Sequence, residues 1–317
     1  MPTSILRNDV NPAEATIAAA DLLSDLSLTT AELRSLLDLA ANVKRNPTRY
    51  ATALRYRYLS LLFEKPSLRT RLTFELAIKQ LGGDAVVSMG PIGDREPLKD
   101  VARNLDRWTN GIVARVFSQQ TIEELAQWSS VPVINALSDL YHPCQAFADL
   151  QTIEERFGTA QDVRLAFVGD GNNVSHSLLL SGARLGMHVT VVCPEGYAPD
   201  PGILEKAQKF ASETGGAAQF THDLGGVKGA HVVYTDVWAS MGQEEEAELR
   251  KRAFADYQVN EELMAMADPE AIFLHCLPAK RGLEVTDAVI ESSQSAVFDQ
   301  AENRLHAQKA LLLLLLS

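Results

Sequence analysis

Leu59-Ser60-Leu61-Leu62-Phe63-Glu64-Lys65-Pro66-Ser67-Leu68-Arg69-Thr70-Arg71 passes from an apolar run, through a proline-marked break, into a stretch rich in hydroxyls and arginine. A strand that ends in a short loop and then opens a helix directs several backbone N–H groups at one spot, where a phosphate can sit. Ser67, Arg69, Thr70 and Arg71 supply hydroxyls and positive charge for such an anion. The plain alternative is a Ser-capped helix whose arginines face water. No G-x-x-x-x-G-K-S/T sequence occurs in the chain, so a phosphate site at this point is not a P-loop.

The same strand-to-helix alternation repeats on both sides of this stretch. Thr29-Thr30-Ala31-Glu32 has capping-box spacing, and Leu33, Leu36, Leu37 and Ala40 follow at helical intervals. Downstream, apolar runs at 85–87, 112–116 and 131–134 alternate with amphipathic stretches at 97–108 and 121–128. A second series follows a helical stretch at 146–157. It has strands at 165–168, 188–192, 231–234 and 271–274 and helices at 174–185 and 203–210. Short strands alternating with helices predict βαβ units around parallel sheets. The expected class is α/β, with two doubly wound parallel-sheet domains joined by helices. A chain of 317 residues fits two domains of about 150 residues each. The stretch 143–150 is expected to bridge them, 301–316 to form a terminal helix, and 243–248 to begin a solvated acidic helix.

Composition narrows the function. A formal charge of -12 disfavours a nucleic-acid surface, which needs clustered Lys and Arg. Cys144, Cys193 and Cys276 are widely spaced and suggest neither a disulfide framework nor a structural zinc site. The first 20 residues lack the pattern of a signal peptide, and the six leucines 311–316 are far short of the ~20 apolar residues of a membrane span. A small-molecule protein of the reducing cytoplasm, with no membrane or nucleic-acid partner, is the expectation.

In open α/β sheets ligands bind beyond the carboxyl ends of the strands. The strand exits of the first half carry Arg69, Arg71, Arg115, His142 and Gln145. These donors suit a phosphate joined to a carbonyl whose oxygen gains negative charge. The exits of the second half carry Asn173, Asp236, Ser240 and Cys276, which suit the ammonium and carboxylate groups of a small amino acid. Gly169-Asp170-Gly171-Asn172-Asn173-Val174 lacks the third glycine of a dinucleotide fingerprint, and no acidic residue ends the next strand, which disfavours a nicotinamide dehydrogenase. A structural role remains open for His142, as a helix-capping residue before Pro143, and for Cys276, as a buried apolar cysteine.

Six segments in order carry a family resemblance: 63–71, His142-Pro143-Cys144-Gln145, Gly169-Asp170-Gly171-Asn172-Asn173, Asp236-Val237-Trp238-Ala239-Ser240-Met241-Gly242, His275-Cys276-Leu277-Pro278-Ala279 and Ala301-Glu302-Asn303-Arg304. Together they resemble the aspartate/ornithine transcarbamylase family, most closely its ornithine branch. The resemblance implies a carbamoyl-phosphate-binding domain at 1–148, with helix 299–317 packing back on it, and an ornithine-binding domain at 149–298. It implies that Ser67, Leu68, Arg69, Thr70 and Arg115 hold the phosphate, and that His142, Gln145, Thr70, Arg304, Cys276 and Leu277 surround the carbamoyl group. Catalytic weight falls on Arg69, His142, Arg304 and Cys276, with ornithine held by Asn173, Asp236, Ser240 and Met241. It implies no metal, no organic cofactor, and a homotrimer or a multiple of one. Relatives often have Thr where Leu68 stands. They often carry, near Pro91, a Gln that reaches a neighbouring subunit's substrate, a contact that proline cannot make. An aspartate-using relative would want basic groups where this chain has Asp236 and Ser240-Met241-Gly242. Putrescine and acetylornithine relatives differ mainly in that same loop.

Overall fold

The computed structural model describes residues 17–239 and 246–317. The elements run in the order α1 (Thr30–Arg45), β1 (Tyr58–Phe63), α2 (Leu68–Gln80), β2 (Asp84–Met89), α3 (Leu98–Trp108), β3 (Gly111–Arg115), α4 (Gln119–Trp128), β4 (Val133–Leu137) and α5 (Pro143–Phe157). They continue with β5 (Arg164–Val168), α6 (Asn173–Arg184), β6 (His188–Val192), α7 (Pro201–Thr214), β7 (Ala217–Thr221), β8 (Val232–Thr235), α8 (Ala247–Ala253), α9 (Glu261–Met266), β9 (Ile272–His275), α10 (Asp287–Ile290) and α11 (Val297–Leu316).

By internal contacts the chain divides into two compact units. One holds the described residues up to Val116, Gln120–Ala136 and Leu305–Ser317; the other holds Phe117–Gln119 and Leu137–Arg304. The sequence-expected boundary at 148/149 falls inside α5, and α5 belongs wholly to the second unit. Residues 243–245 of the acidic stretch 243–248 lie outside the described residues, and a helix begins within the stretch at Ala247.

The first unit is built on a four-stranded parallel sheet of order β2-β1-β3-β4. All of β1 after Tyr58 is buried, as expected of a strand covered on both faces. The chain leaves β1 toward β2 on one side, then crosses to β3 on the other, so the direction of winding reverses between β1 and β3. Phe63 and Arg115 are register partners at the carboxyl ends of those two strands.

α2 starts where Ser67 caps it: the Ser67 hydroxyl accepts the Thr70 N–H at 3.2 Å. Thr70, Phe74, Ala77 and Ile78 form its buried stripe, and the helix gives way to Gly82, whose φ of 95° suits a residue without a Cβ. The leucine-rich end of α11 lies in the first unit, with Leu311, Leu312, Leu313 and Leu316 buried. Six consecutive leucines therefore serve a helix apolar on almost every side rather than a membrane span, and no helix of the described residues is long and apolar enough to cross one.

The second unit carries a five-stranded parallel sheet of order β7-β6-β5-β8-β9. Winding runs from β5 outward through β6 to β7, then reverses to β8 and β9. The second crevice therefore opens between the ends of β5 and β8. Val168, Val192, Val233 and Phe273 are buried in its core with Val259, Val285 and Val289 from the flanking segments.

Candidate active site

In the first unit the candidate residues gather at the reversal of winding between β1 and β3. Leu68, Arg69 and Thr70 form the first turn of α2, whose N–H groups have no partner within the helix by construction and face along its axis. Arg115 ends β3 with its side chain buried, and its carbonyl accepts the Glu64 N–H at 2.9 Å, which ties the loop after β1 to the end of β3. Arg71 points along the surface to Glu75 at 3.3 Å. It is thus an i,i+4 pair on the exposed face. A helix N-terminus, a guanidinium and hydroxyls are the groups from which anion sites are built in any protein.

The second unit assembles a hydrogen-bonded network from five elements. His142 stands at the N-cap of α5 with Pro143 in the first position, and its N–H donates to Ser177 Oγ at 2.9 Å. One turn on, Gln145 is buried; its Oε1 accepts from Arg304 Nη1 at 3.0 Å and its Nε2 donates to Asp149 Oδ1 at 2.8 Å. These two bonds fix which way the amide faces. Gln300 Nε2 donates to the same Asp149 oxygen at 2.6 Å and to the Tyr234 hydroxyl at 3.1 Å, while its Oε1 accepts the His275 N–H at 3.0 Å. Burial pushes the Asp149 carboxyl up to about 7, against the hydrogen bonds from Gln300, Gln145 and Tyr234 and the Arg304 charge. Sequence reading missed Asp149 and Gln300, because both lie inside helices rather than at strand exits.

The second crevice joins the ends of β5 and β8. Gly171 must be glycine: a Cβ there would stand 2.3 Å from the Pro199 nitrogen. Asn172 caps α6 through Oδ1, which accepts from Val174 and Ser175, and its Nδ2 donates to Asp236 Oδ2 at 3.0 Å. The motif that superficially suggests a nucleotide loop is therefore a tight turn and a cap that aims an amide at a carboxylate. Asn173 Nδ2 donates to the Ser138 carbonyl at 2.7 Å. Asp236 Oδ1 accepts from Val237 N–H at 2.8 Å and from the Cys276 thiol at 3.0 Å. Burial, and then the Asp236 charge, raise the Cys276 thiol well above its usual range, so it serves as a neutral donor and not as a thiolate. Ser240 and Met241 lie outside the described residues. On either side of them Arg250 donates to the Trp238 carbonyl at 3.1 Å and to Glu246 at 3.0 Å, and it pairs with Asp170 at 2.6 Å.

Asp236, His275 and Cys276 bring three donor atoms within 4.8 Å of one another, a separation that suits a metal ion. Both His275 ring nitrogens are already engaged, Nδ1 by the Leu277 N–H and Nε2 by Glu284, so the trio lacks a nitrogen with a lone pair to offer. Cys144, Cys193 and Cys276 are all free thiols.

Residues 20–155 match the family model described as "Aspartate/ornithine carbamoyltransferase, carbamoyl-P binding domain", and residues 161–315 match "Aspartate/ornithine carbamoyltransferase, Asp/Orn binding domain". The chain belongs to the aspartate/ornithine carbamoyltransferase family. Within this family it is 51% identical over 305 residues to the ornithine carbamoyltransferase of a Synechococcus species, which covers 95% of this chain and 98% of that relative. The ornithine carbamoyltransferase of Pyrococcus furiosus superposes with a TM-score of 0.91 at 47% identity, over 94% of this chain and 97% of that one. Acetylornithine transcarbamylase, solved with acetylcitrulline, shares the fold at a TM-score of 0.83 but only 33% identity, over 94% of this chain and 99% of that one. The sequence-derived resemblance and α/β class both hold.

Proposed function

We propose that the chain transfers the carbamoyl group of carbamoyl phosphate to the side-chain amine of L-ornithine, giving L-citrulline and phosphate. What carries this reading is the identity of about one half to ornithine carbamoyltransferases along nearly the whole chain, against one third to the acetylornithine enzyme. The amine nitrogen's lone pair attacks the carbamoyl carbon, a tetrahedral oxyanion forms, the C–O bond to phosphate breaks with its electron pair leaving on phosphate, and the proton lost from the amine nitrogen leaves with that phosphate. The substrate is already activated, so catalysis needs orientation and charge stabilisation rather than a redox or metal-borne step.

In this reading Ser67, Leu68, Arg69, Thr70 and Arg115 hold the phosphate and stabilise it as it leaves. His142, Gln145 and Arg304, with Thr70, hold the carbamoyl group, and the Arg304 guanidinium faces the oxyanion. The Gln145–Arg304 bond supports this role, because it keeps the cation oriented before substrate arrives. Asn173, Asp236, Ser240 and Met241 hold ornithine, whose reacting amine lies near Cys276 and Leu277. An amine of this kind is mostly protonated at neutral pH, with a reference pKa of about 10.4. A neutral Cys276 thiol pinned to Asp236 suits the orientation of the uncharged amine better than its deprotonation. The phosphate set and Thr70 belong to one unit and the remaining residues to the second, so the reading requires one bound substrate to engage both.

We place this activity in the cytoplasm, within arginine biosynthesis, and in a homotrimer or a multiple of one. Three free thiols support the reducing compartment. The test is a citrulline-forming assay offering carbamoyl phosphate with ornithine, aspartate, putrescine and acetylornithine side by side. Turnover with ornithine at least 100-fold above the others is expected; equal or better turnover with another acceptor would overturn the assignment.

A further inference from the structure

The loop after β9 contains an unusual backbone state, and the residues that hold it lie outside every substrate set named so far. Leu277 has φ of 56°, in the left-handed region that a leucine rarely adopts. Its N–H donates to Nδ1 of His275 at 2.8 Å. A ring nitrogen that accepts is unprotonated, so the hydrogen-bond pattern assigns the imidazole N–H to Nε2. Nε2 faces Glu284 Oε1 at 3.3 Å, and neither side chain has any solvent exposure. The same Glu284 oxygen accepts the Lys280 N–H.

One carboxylate oxygen thus closes the loop at both ends, through His275 at its entrance and Lys280 at its exit. The oxygen is itself held still. The Glu284 carbonyl accepts the Val259 N–H at 2.9 Å, and the Thr286 N–H returns to the Val259 carbonyl at 3.0 Å. At the other end the His275 N–H is bound to Gln300, which also holds Asp149. The clamp and the Gln145–Arg304 pair therefore share one network. Glu284 Oε2 has no hydrogen-bond partner among the described residues, so the carboxylate is placed for what Oε1 does.

We propose that Glu284, acting through His275, is a positioning residue that clamps the Cys276–Leu277 backbone in the conformation the transfer reaction uses. The inference rests on the reading of Cys276 and Leu277 as substrate contacts, and it assigns the requirement to acceptor geometry rather than to charge.

Two conservative variants separate these alternatives. Glu284→Gln loses the charge but keeps an oxygen where Oε1 stands. Glu284→Asp keeps the charge but draws the acceptor back by one carbon–carbon bond, about 1.5 Å. Steady-state citrulline formation is measured for both. In parallel, alkylation of Cys276 by a small thiol reagent is followed by peptide mass spectrometry, with buried Cys193 as the internal control. Glu284→Gln is expected to keep kcat/KM for carbamoyl phosphate within about fivefold. Glu284→Asp is expected to lose roughly 100-fold, the scale of a 1 Å misplacement, and to speed Cys276 labelling at least tenfold with Cys193 unchanged. The proposal is overturned if Glu284→Asp equals or exceeds Glu284→Gln in kcat/KM, or if Cys193 labelling accelerates in step with Cys276. An unsubstituted enzyme that makes no citrulline would refute the reaction reading instead, and the labelling order would still decide the clamp.

Discussion

Asp149 shows how a single buried carboxyl shapes both the site and its response to pH. Its Oδ1 receives the amides of Gln145 and Gln300, and burial lifts its pKa to about 7 from an ordinary 3.8. The folded state therefore binds a proton more tightly than the unfolded chain does. The resulting stabilisation is fully present below about pH 4 and is lost as pH rises through about 7, an effect on the order of 4 kcal/mol at full burial. Urea unfolding of the parent is expected to show stability falling between pH 4 and 7 from this group, and Asp149→Asn is expected to flatten that fall. An unchanged slope in the variant would show that Asp149 titrates normally. The residue was not legible in the sequence because nothing in Ala146-Phe147-Ala148-Asp149-Leu150 distinguishes a network hub from a solvated helical aspartate. Arg115, His142, Gln145, Asp236 and Cys276 were legible, because each sits at a strand exit or a helix start, where an α/β sheet puts its chemistry.

The elements that could be read were those with strong periodicity or a continuous apolar run. Strands β1, β5, β6, β8 and β9 are mostly buried parallel strands rich in Val, Leu, Ile and Phe, a composition that burial on both faces favours. Strand β7 escaped, since Ala217-Ala218-Gln219-Phe220-Thr221 is an edge strand that keeps Gln219 and Phe220 exposed and so carries no apolar run. Strand order escaped as well: both reversals of winding depend on which neighbour a strand chooses, and local pattern does not encode that. α11 was visible as a leucine-rich helix, but only its burial says why it needs leucine on all sides. Leu312 is fully buried and Leu315 only partly. Leu312→Ala is therefore expected to cost about 3 kcal/mol in urea unfolding, the range for a buried leucine truncation, and Leu315→Ala less than half of that. Equal costs would mean that the helix packs with a different face.

At the scale of the whole molecule, the first unit leaves apolar surface that the described residues do not cover. α2 exposes Leu68, Leu72 and Leu76 at i, i+4 and i+8, with Leu68 68% exposed. The strand it packs beside, β2, is at the edge of the sheet and exposes Val86, at 67%, and Met89. An exposed edge strand next to an apolar helical stripe is a poor surface for a lone protein in water, and covering it with another copy removes the liability. A trimer of the proposed kind would supply that cover. Each Leu or Val buried there contributes about 1.5–3 kcal/mol, and a charge in its place must be desolvated without a partner. Sedimentation equilibrium is expected to give the mass of three 34.6-kDa chains or a multiple of three. Leu72→Glu combined with Val86→Lys is expected to release single chains that keep the helical signal of the parent in circular dichroism. A parent that sediments as one chain would sink the trimer, and a double variant that stays assembled would move the interface to another face.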